Sequence, residues 1–405
     1  MVWAGKPHIR WRRHSQRGAN MDAAPRKIRI CQLITELRPA GAERCVFELA
    51  RRLDPARFDV RVAALRGGEV ADWLAAAGVP TRVLDVRGKW DLFKLAGLVR
   101  WLRAECIDLL HTHLFHADLA GRLAAAAAGV PHLVHTVHVA EKRFRPWRFA
   151  WARLGAGRCE RIVCVSESVR RQHARRTGLA AERYTVIPNG IDTDAYARNE
   201  SARVRLRREW GVGDDEVLPA FVGRLDVQKG LDVLLAALEL LVGGGKAARV
   251  IFAGRGPQRL LLDHFLLTPA GARCRDLGFI HDVPAVLSAV DVLVMPSRWE
   301  GWPLAAGEAL AAGLPVIATR VDGLRDVVDE TVGLLVPPDD PAALANAIER
   351  LCADGAIRAA LGRAGRRRAT QQFAIRAFVE AHERLYEQIA GAIPPGCDGI
   401  SREAK

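Results

Sequence analysis

The stretch DVLVMPSRWEGWPLAAGEALAAGLPVIAT, residues 291–319, contains a hydrophobic run, a loop, a helical segment rich in small residues and a second hydrophobic run. The first run ends near Met295, and Pro303 suits the first turn of a helix, where its missing N–H costs nothing. Two strands that are joined through a helix lie parallel in one sheet. This stretch therefore predicts an α/β fold built on a parallel sheet.

The same alternation of strand and helix extends in both directions from this stretch. It begins with a predicted strand at 27–36, is interrupted by the turn signal Pro-Asn-Gly within YTVIPNGIDTDAYARN (184–199), and resumes at EVLPAFVG (216–223). A chain of 405 residues also exceeds the usual size of a single core. We therefore expect two Rossmann-like α/β domains whose parallel sheets face each other across a cleft, which is the default ligand site.

The predicted organisation has five parts. In chain order they are a basic tail over 1–26, an N-terminal domain over 27–190, a C-terminal domain over 191–373, a helix over 374–392 that packs back on the N-terminal domain, and a tail over 393–405.

The composition is that of an ordinary globular protein, with 50% hydrophobic residues and a formal net charge of +14. The first 27 residues contain seven Lys or Arg against one Asp, and they lack the apolar segment of a secretory signal. The positive excess suits an anionic membrane surface, phosphate-bearing substrates or nucleic acid. The eight cysteines form no C-x-x-C pair, and no run of 18 apolar residues occurs. We expect a cytoplasmic protein without a disulfide framework, a zinc site or a membrane span.

Two glutamates, Glu300 and Glu308, lie on either side of the predicted helix start. Glu300 precedes the helix and Glu308 lies more than one turn inside it, so the two do not form a close acid–base pair. The free backbone N–H groups of Leu304 and Ala305 attract phosphate, and a carboxylate accepts hydrogen bonds from sugar hydroxyls. The spacing predicts a clamp on a ligand with phosphates in its middle and a sugar at each end. We expect Gly307, inside the predicted helix, to let this ligand approach the backbone closely. The alternative is a solvated Glu300 and a Glu308 with only a structural role.

Two other predicted strand ends carry polar or small residues at the same edge of the second sheet. The segment FVGRLDVQKG (221–230) places Arg224 and Lys229 there, and both side chains bind phosphate well. A surface charge pair is the alternative. The segment FAGRGPQ (252–258) is not a dinucleotide-binding fingerprint, because Arg259 occupies the position of the third glycine.

Taken together, these segments resemble a known family. The ordered set VGRLDVQKG, FAGRGP, GFIHDVPAVLSAVDVLVMPSRWEGWPLAAGEALAAGLPVIAT and GLLVPPDDPAALANAI is similar to that of the retaining glycosyltransferases of family 4, which have the GT-B fold. In the N-terminal half, RPAGAER resembles the glycine turn of the family, LLHTHLFHADLAGRLAAAAAGVP its histidine strand and helix, and VIPNGID its interdomain connection. The resemblance covers roughly residues 27–390.

The resemblance implies a role for each matching residue. Arg224 and Lys229 would hold the diphosphate of a nucleotide-sugar donor and stabilise the leaving group. Glu308 would accept the ribose hydroxyls, Glu300 would contact the hexose near its 3-position, and His138 would contact the donor sugar from the opposite side of the cleft. Further donor contacts are implied at Gly41, Gly223, Gly254, Phe279, Ile280, Gly301, Leu304 and Ala305.

The chain departs from the family pattern at two positions. Ala40 precedes Gly41 where the family has a second glycine, so this turn must tolerate a Cβ. Val139 follows His138 where the family often has an acidic residue, which leaves open what orients the imidazole. Four other histidines lie close enough in sequence to be alternatives to His138: His111, His113, His116 and His135.

The resemblance also implies a type of reaction. A hexose or N-acetylhexosamine would move from a UDP- or GDP-linked donor to a glycan or lipid-linked acceptor with retention, in cell-surface polysaccharide or glycolipid synthesis. No metal and no cofactor are expected, because positive charge would replace the metal at the departing diphosphate. No carboxylate for a double displacement is identifiable in the sequence, so we expect a front-face mechanism.

The acceptor is expected to contact the N-terminal domain. There the segment 141–158 interleaves basic and aromatic residues, which indicates either an interfacial helix on the inner face of a membrane or a helix packed on the core. Two other functions are left open. One is a nucleotide-sugar epimerase of the same fold, and the other is a basic nucleic-acid-binding protein that lacks catalysis, although no nucleic-acid-binding motif supports it.

Overall fold

The computed structural model describes residues 26–86, 88, 91–139, 145–246 and 249–391. The predicted basic tail, apart from Arg26, and the predicted tail over 393–405 lie outside the described residues.

The N-terminal half contains a seven-stranded sheet in the order β3-β2-β1-β4-β5-β6-β7, and every pair of neighbouring strands is parallel. Its strands are β1 Ile28–Glu36, β2 Phe58–Arg66, β3 Thr81–Val83, β4 Leu109–His113, β5 His132–Val137, β6 Arg161–Cys164 and β7 Tyr184–Val186. Its helices are α1 Gly41–Arg52, α2 Val70–Ala76, α3 Leu92–Ala104, α4 Phe115–Ala128, α5 Pro146–Leu154 and α6 Glu167–Thr177.

The C-terminal half contains a six-stranded parallel sheet in the order β10-β9-β8-β11-β12-β13. Its strands are β8 Pro219–Val222, β9 Ile251–Ala253, β10 Arg275–Asp276, β11 Val292–Met295, β12 Val316–Thr319 and β13 Gly333–Val336. The remaining helices are α7 Glu200–Trp210, α8 Leu231–Gly243, α9 Arg259–Leu266, α10 Val283–Ala289, α11 Leu304–Ala311, α12 Pro341–Ala353, α13 Gly355–Gln372 and α14 Ile375–Ala390.

The predicted pair of α/β domains with parallel sheets is confirmed. Short strands such as β11 and β12 are buried along their whole length because helices cover both faces of the sheet, and their sequences VLVM and VIAT are accordingly apolar throughout. The quoted stretch forms β11, the following loop, α11 and β12, with β11 and β12 paired in register.

Helix α7 is absent from the sequence-based prediction, which treated its surroundings as a domain connection. It begins after Asn199, whose side chain accepts from the Ala202 N–H, and it ends at the left-handed Gly211. Both signals were present in the sequence, but the strongly polar composition of the helix concealed its buried face. Leu206 and Trp210 of that face are buried.

Helix α14 packs on the N-terminal sheet although it follows the whole C-terminal half of the chain. Its residues Phe378 and Tyr386 share a buried cluster with Ile30, Phe58 and Leu109. The chain makes this return at a bridge between Ile191 and Ala374. The last helix therefore places side chains beneath the N-terminal side of the cleft.

Candidate functional site

The two halves of the chain touch at the loop that precedes α11. Gly301 lies so close to His138 that a Cβ on Gly301 would stand 2.9 Å from the His138 carbonyl carbon and 3.0 Å from the Val139 Cα. The Ser166 hydroxyl donates to the Gly301 carbonyl oxygen at 2.9 Å. The end of β5 and the loop after β11, which carry His138 and Glu300, therefore face each other across the cleft.

A second contact joins the two helix starts. A Cβ on Gly41 would stand 3.6 Å from the Leu304 Cδ1, which is ordinary van der Waals distance. The preceding Ala40 is extended, with φ −152° and ψ −178°, a conformation open to any residue. The turn therefore tolerates alanine in place of the family's first glycine, and the starts of α1 and α11 form opposite sides of one groove.

Glu300 is buried and holds the ammonium group of Lys229. Its Oε1 accepts from the Lys229 Nζ at 2.6 Å and from the Ser297 hydroxyl at 2.8 Å, and only 5% of Glu300 is exposed. A carboxylate at this burial requires a partner, and Lys229 supplies it. Lys229, expected at the diphosphate of the donor, and Glu300, expected at its hexose, thus lie side by side at the cleft.

Arg224 lies at the rim of the same group. Its side chain is 60% exposed, and its guanidinium donates to the Gln228 side-chain oxygen at 3.2 Å. The Gln228 amide in turn donates to the Trp299 carbonyl oxygen at 3.0 Å. Arg224 is therefore attached to the Glu300 loop through Gln228, with its guanidinium still open to a phosphate.

Helix α11 begins one residue later than the sequence predicted. Pro303 is the N-cap residue, with ψ of 110°, so the first two helical residues are Leu304 and Ala305. Their N–H groups lie in the first turn, where no intrahelical acceptor exists. The predicted phosphate-binding start of the helix is thus located directly opposite Gly41.

Gly307 has a different role from the one that its position suggested. We expected this glycine to allow a ligand to approach the helix. Instead, a Cβ there would stand 2.7 Å from the Trp302 ring and 3.0 Å from Ile191. The space beside Gly307 is filled by protein, because the buried Trp302 packs on the bare backbone of α11.

Glu308 already has partners within the protein. Its Oε1 accepts from the Arg44 guanidinium at 2.7 Å and from the Tyr196 hydroxyl at 2.8 Å, and Arg44 also donates to the Tyr196 oxygen at 2.9 Å. Burial and, to a smaller extent, the nearby Glu308 carboxylate raise the pKa of Tyr196. Sequence reasoning missed Arg44 and Tyr196, although Arg44 belongs to the quoted RPAGAER turn.

Replacing Arg44 with Met should destabilise the protein, because Glu308 would stay buried with the Tyr196 hydroxyl as its remaining partner. We expect a loss of about 1 to 3 kcal/mol, below the cost for a fully buried pair, since the Arg44 side chain is 34% exposed. Urea unfolding measures it. Arg51→Met is the matched control on the same helix and should cost less than about 1 kcal/mol, because Arg51 pairs with Glu48 at the surface. Equal losses in the two variants would contradict the assigned role of Arg44.

The glycines at the ends of β8 and β9 pack against each other. A Cβ on Gly254 would clash with the Gly223 carbonyl oxygen, so the missing side chain of Gly254 is required by the neighbouring strand. Phe279 and Ile280 follow β10. The Phe279 ring centre lies 4.8 Å from the Arg255 guanidinium, and Ile280 packs partly buried against the core. The contacts of the two glycines, Phe279 and Ile280 with a donor stay predictions.

His138 belongs to a buried group of histidines under the N-terminal side of the cleft. It is 8% exposed, and its Nε2 lies 3.0 Å from the His113 Nδ1. Burial lowers the pKa of His138 to about 3, so the ring is neutral. Of the alternatives to His138, the rings of His111, His113 and His135 are also buried.

A cavity of about 110 Å³, counted as the space open to the centres of water-sized molecules, lies beside His138 on the N-terminal side and opens to solvent. Its walls include Phe115, Val137, Val139 and Phe149, with Arg148 among the polar residues. Glu43, in the first turn of α1, is a further buried acid in this half, and burial raises its pKa to about 7. No pattern in the sequence marked Glu43 as a candidate site residue. Among the described residues, no group of three or more His, Cys, Asp or Glu side chains is arranged to hold a metal ion.

Comparison with known proteins gives matches to both halves. The family profile "Glycosyltransferase Family 4" matches residues 39–195, and "Glycosyl transferases group 1" matches residues 217–354. The 2-deoxystreptamine glucosyltransferase of Streptomyces kanamyceticus is 30% identical over 86% of this chain and 90% of its own length. The UDP-Gal:alpha-D-GlcNAc-diphosphoundecaprenol alpha-1,3-galactosyltransferase of Escherichia coli is 28% identical over 82% of this chain and 90% of its own.

Solved structures match the fold. The crystal structure of Anabaena HepE in complex with UDP-glucose superimposes with a TM-score of 0.81, at 24% identity, over 89% of this chain and all of that one. Sucrose-phosphate synthase from Thermosynechococcus elongatus superimposes with a TM-score of 0.75, at 25% identity, over 91% of this chain and all of that one. The predicted architecture of two facing Rossmann-like domains is therefore confirmed.

Proposed function

Because this chain belongs to glycosyltransferase family 4, and is thus a hexosyltransferase with the GT-B fold, we propose that its cleft transfers a hexose or N-acetylhexosamine from a nucleotide sugar to a glycan or lipid-linked acceptor. The relatives named above are transferases, which disfavours the epimerase alternative and the non-catalytic nucleic-acid-binding alternative. HepE has been crystallised with UDP-glucose, which supports a nucleotide sugar as the donor.

The observation that carries the proposal is the ion pair between Lys229 and Glu300 beside the start of α11. Glu300 lies four residues before Leu304, the first helical residue, whose N–H group has no intrahelical acceptor. A positive side chain and a helix start converge on the place where a diphosphate would leave. Glu300 would position the hexose, and Arg224 would close over the diphosphate from the rim. The ribose would meet Glu308, where it would share the carboxylate with Arg44 and Tyr196.

We propose a front-face reaction with retention. The bond between the anomeric carbon and the diphosphate oxygen breaks, and the acceptor oxygen bonds to the same face of the carbon. The departing phosphate takes the acceptor proton. Lys229, Arg224 and the start of α11 would stabilise the leaving diphosphate and so do the work that a metal ion does elsewhere, while Glu300 would balance charge on the sugar. Neither a metal nor a cofactor is part of this proposal.

The acceptor would approach from the N-terminal half, where the cavity beside His138 is open. Its aromatic and aliphatic walls suit an acceptor with apolar groups. The Escherichia coli relative, whose name specifies a diphosphoundecaprenol-linked acceptor, supports a lipid-linked one. Such an acceptor would place this enzyme in cell-surface polysaccharide or glycolipid synthesis, at the inner face of a membrane.

The proposed donor class is tested by thermal denaturation with a panel of UDP-glucose, UDP-galactose, UDP-N-acetylglucosamine and GDP-mannose. A donor that binds the folded cleft raises the melting temperature, by about 2 °C or more at a concentration well above its Kd. Lys229→Ala is the binding control and should reduce that shift. If no nucleotide sugar raises the melting temperature and none is hydrolysed, the proposed function is wrong.

Peripheral membrane contact is a separate proposal that rests on α5. Phe149 of this helix is buried, whereas Trp147 is 52% exposed and Leu154 is 82% exposed, so part of the predicted interfacial segment packs on the core and part faces outward. Residues 141–144 of that segment lie outside the described residues. None of the helices described here has the length and apolarity needed to cross a bilayer.

We expect the protein to sediment with vesicles that contain anionic lipid at low salt, and Trp147→Ser with Leu154→Ser to weaken this binding. Substitution of the exposed Leu267 on the other half provides the control, since it should leave sedimentation unchanged. Absence of binding to anionic vesicles at low salt would remove the membrane proposal.

A further inference from the structure

A continuous series of hydrogen bonds runs beneath the cleft from α14 to His138. It passes from Tyr386 to Gln32 at 2.9 Å, from Gln32 to His113 at 2.6 Å, and from His113 to His138 at 3.0 Å. All four side chains are buried. They come from α14, β1, β4 and the end of β5, so the last helix of the chain is connected to a residue at the cleft.

The direction of this series follows from the chemistry of each atom. The Gln32 Nε2 donates to the Tyr386 oxygen, so the Gln32 Oε1 faces the His113 Nε2. An amide oxygen carries no proton, and His113 Nε2 must therefore donate. Burial holds the pKa of His113 well below its usual range, so His113 is neutral and its Nδ1 is a bare acceptor.

The ring nitrogen of His138 that carries the proton follows in the same way. The bare His113 Nδ1 needs a donor, and the His138 Nε2 at 3.0 Å is that donor. The hydrogen bonds at the other end of the series fit the same direction. The Tyr386 hydroxyl can donate to the His111 Nδ1 at 2.7 Å, and the His111 Nε2 can donate to the Thr136 hydroxyl oxygen at 2.7 Å. Each member then donates one hydrogen bond to an acceptor in the series.

We propose that Tyr386, Gln32 and His113 are positioning residues that keep the His138 proton on Nε2, so that the ring presents a bare Nδ1 acceptor to the donor sugar and selects a sugar with a hydroxyl, not a carboxylate, at that point. This inference rests on the proposed function. The structure records no hydrogen bond for the His138 Nδ1 among the described residues. The loop that carries Glu300 touches the backbone of His138, so a sugar held by Glu300 would lie beside this ring.

The selectivity has a simple physical cause. A sugar hydroxyl donates to the Nδ1 lone pair, whereas a hexuronate carboxylate has no proton to donate and faces the lone pair with its own negative charge. Protonating His138 to remove that conflict is costly, since the ring is buried and neighbouring His135 and His382 further disfavour a charge there. The series also gives the imidazole an orienting partner, which Val139 cannot provide because its side chain is apolar.

The first test is a nitrogen NMR spectrum of the full chain with ¹⁵N-labelled histidine, in which His138→Gln assigns the His138 signals. We expect a pyrrole-type shift for the His138 Nε2 and a pyridine-type shift for its Nδ1. Tyr386→Phe removes the acceptor of the Gln32 amide, lets that amide turn over, and should move both shifts toward intermediate values. Gln32→Leu is the second variant and should do the same.

Tyr184→Phe is the matched control. The Tyr184 hydroxyl is bonded to His173 at 2.9 Å and to Thr177 at 3.0 Å, outside this series, so its loss should leave the His138 shifts in place. A pyrrole-type Nδ1 in the wild-type protein would overturn the proposal, because the series would then run in the reverse direction. Unchanged His138 shifts in both Tyr386→Phe and Gln32→Leu would overturn the positioning role.

The second test compares matched donors, UDP-glucose with UDP-glucuronate and GDP-mannose with GDP-mannuronate. We expect kcat/KM for the preferred hexose to exceed that for its hexuronate by about tenfold or more, and this ratio to fall in Tyr386→Phe. Equal use of hexose and hexuronate by the wild-type protein would overturn the proposal. If no donor is bound or turned over, the proposed function fails instead, and the NMR shifts still decide the direction of the series.

Discussion

Glu300→Gln should lower kcat by about 10² to 10³-fold, the range seen when one preorganised electrostatic group is removed from an active site. The substitution keeps the shape of the side chain and removes the charge that holds the Lys229 ammonium at 2.6 Å. Lys229 would then lose both its counter-ion and its position at the departing diphosphate, while the Ser297 hydroxyl could still donate to the amide oxygen. Steady-state kinetics at saturating donor measure the effect.

The same position distinguishes two mechanisms. In the front-face reaction Glu300 positions the sugar and is never glycosylated, so intact-protein mass spectrometry of the wild-type enzyme with donor alone should find no adduct. A covalent glycosyl-Glu300 species would show that a double displacement occurs. Glu330→Gln is the kinetic control, since the Glu330 side chain is 68% exposed and pairs loosely with Arg320 at 3.5 Å. Its kcat should match that of the wild type.

Gly301→Ala should lower kcat/KM by about 10²-fold, because a displacement near 1 Å in an active site has an effect of that size. The added Cβ would overlap the His138 carbonyl group and reach 3.0 Å from the Val139 Cα. Both are backbone atoms of the opposite half, so they cannot rotate away, and the two sides of the cleft must separate. The overpacking itself should cost about 1 to 3 kcal/mol.

Gly243→Ala is the control for Gly301→Ala, because it lies at the end of α8 with no atom within 4 Å of the added Cβ. Its kinetics should be those of the wild type. Small-angle X-ray scattering of Gly301→Ala should show a larger radius of gyration than that of Gly243→Ala. Wild-type kcat/KM in Gly301→Ala would mean that the contact between Gly301 and His138 does not set the geometry of the cleft.

Much of the fold was predictable because most strands stand out in the sequence as short hydrophobic runs, and most helices as the longer segments between two such runs. Prediction failed where the signal was weak or where it had two explanations. Helix α7 has proper capping residues, but its charged sequence resembles a loop. Gly307 was assigned to a ligand because a glycine within a helix suggests close approach, and the approaching group is in fact Trp302.

The residues of the predicted clamp lie together in the structure, but the sequence did not indicate all of their partners within the protein. Glu300, Lys229, Leu304 and Glu308 all lie along the cleft, as their positions after strand ends required. The pairing of Glu300 with Lys229 and of Glu308 with Arg44 was not predictable, since these partners are 71 and 264 positions apart. Neither periodicity nor spacing indicates which charges meet across a cleft.

Local hydrophobic pattern and turn chemistry were enough to predict the two parallel sheets, a helix that begins near Pro303 and the residue types at the ends of the strands. The partner of each polar group depends instead on how distant parts of the chain pack together. The return of α14 brings Tyr386 beneath β1 and β4 and joins it through Gln32 and His113 to His138. Buried polar groups must find partners wherever the packing brings them, and that packing joins residues from opposite ends of the chain.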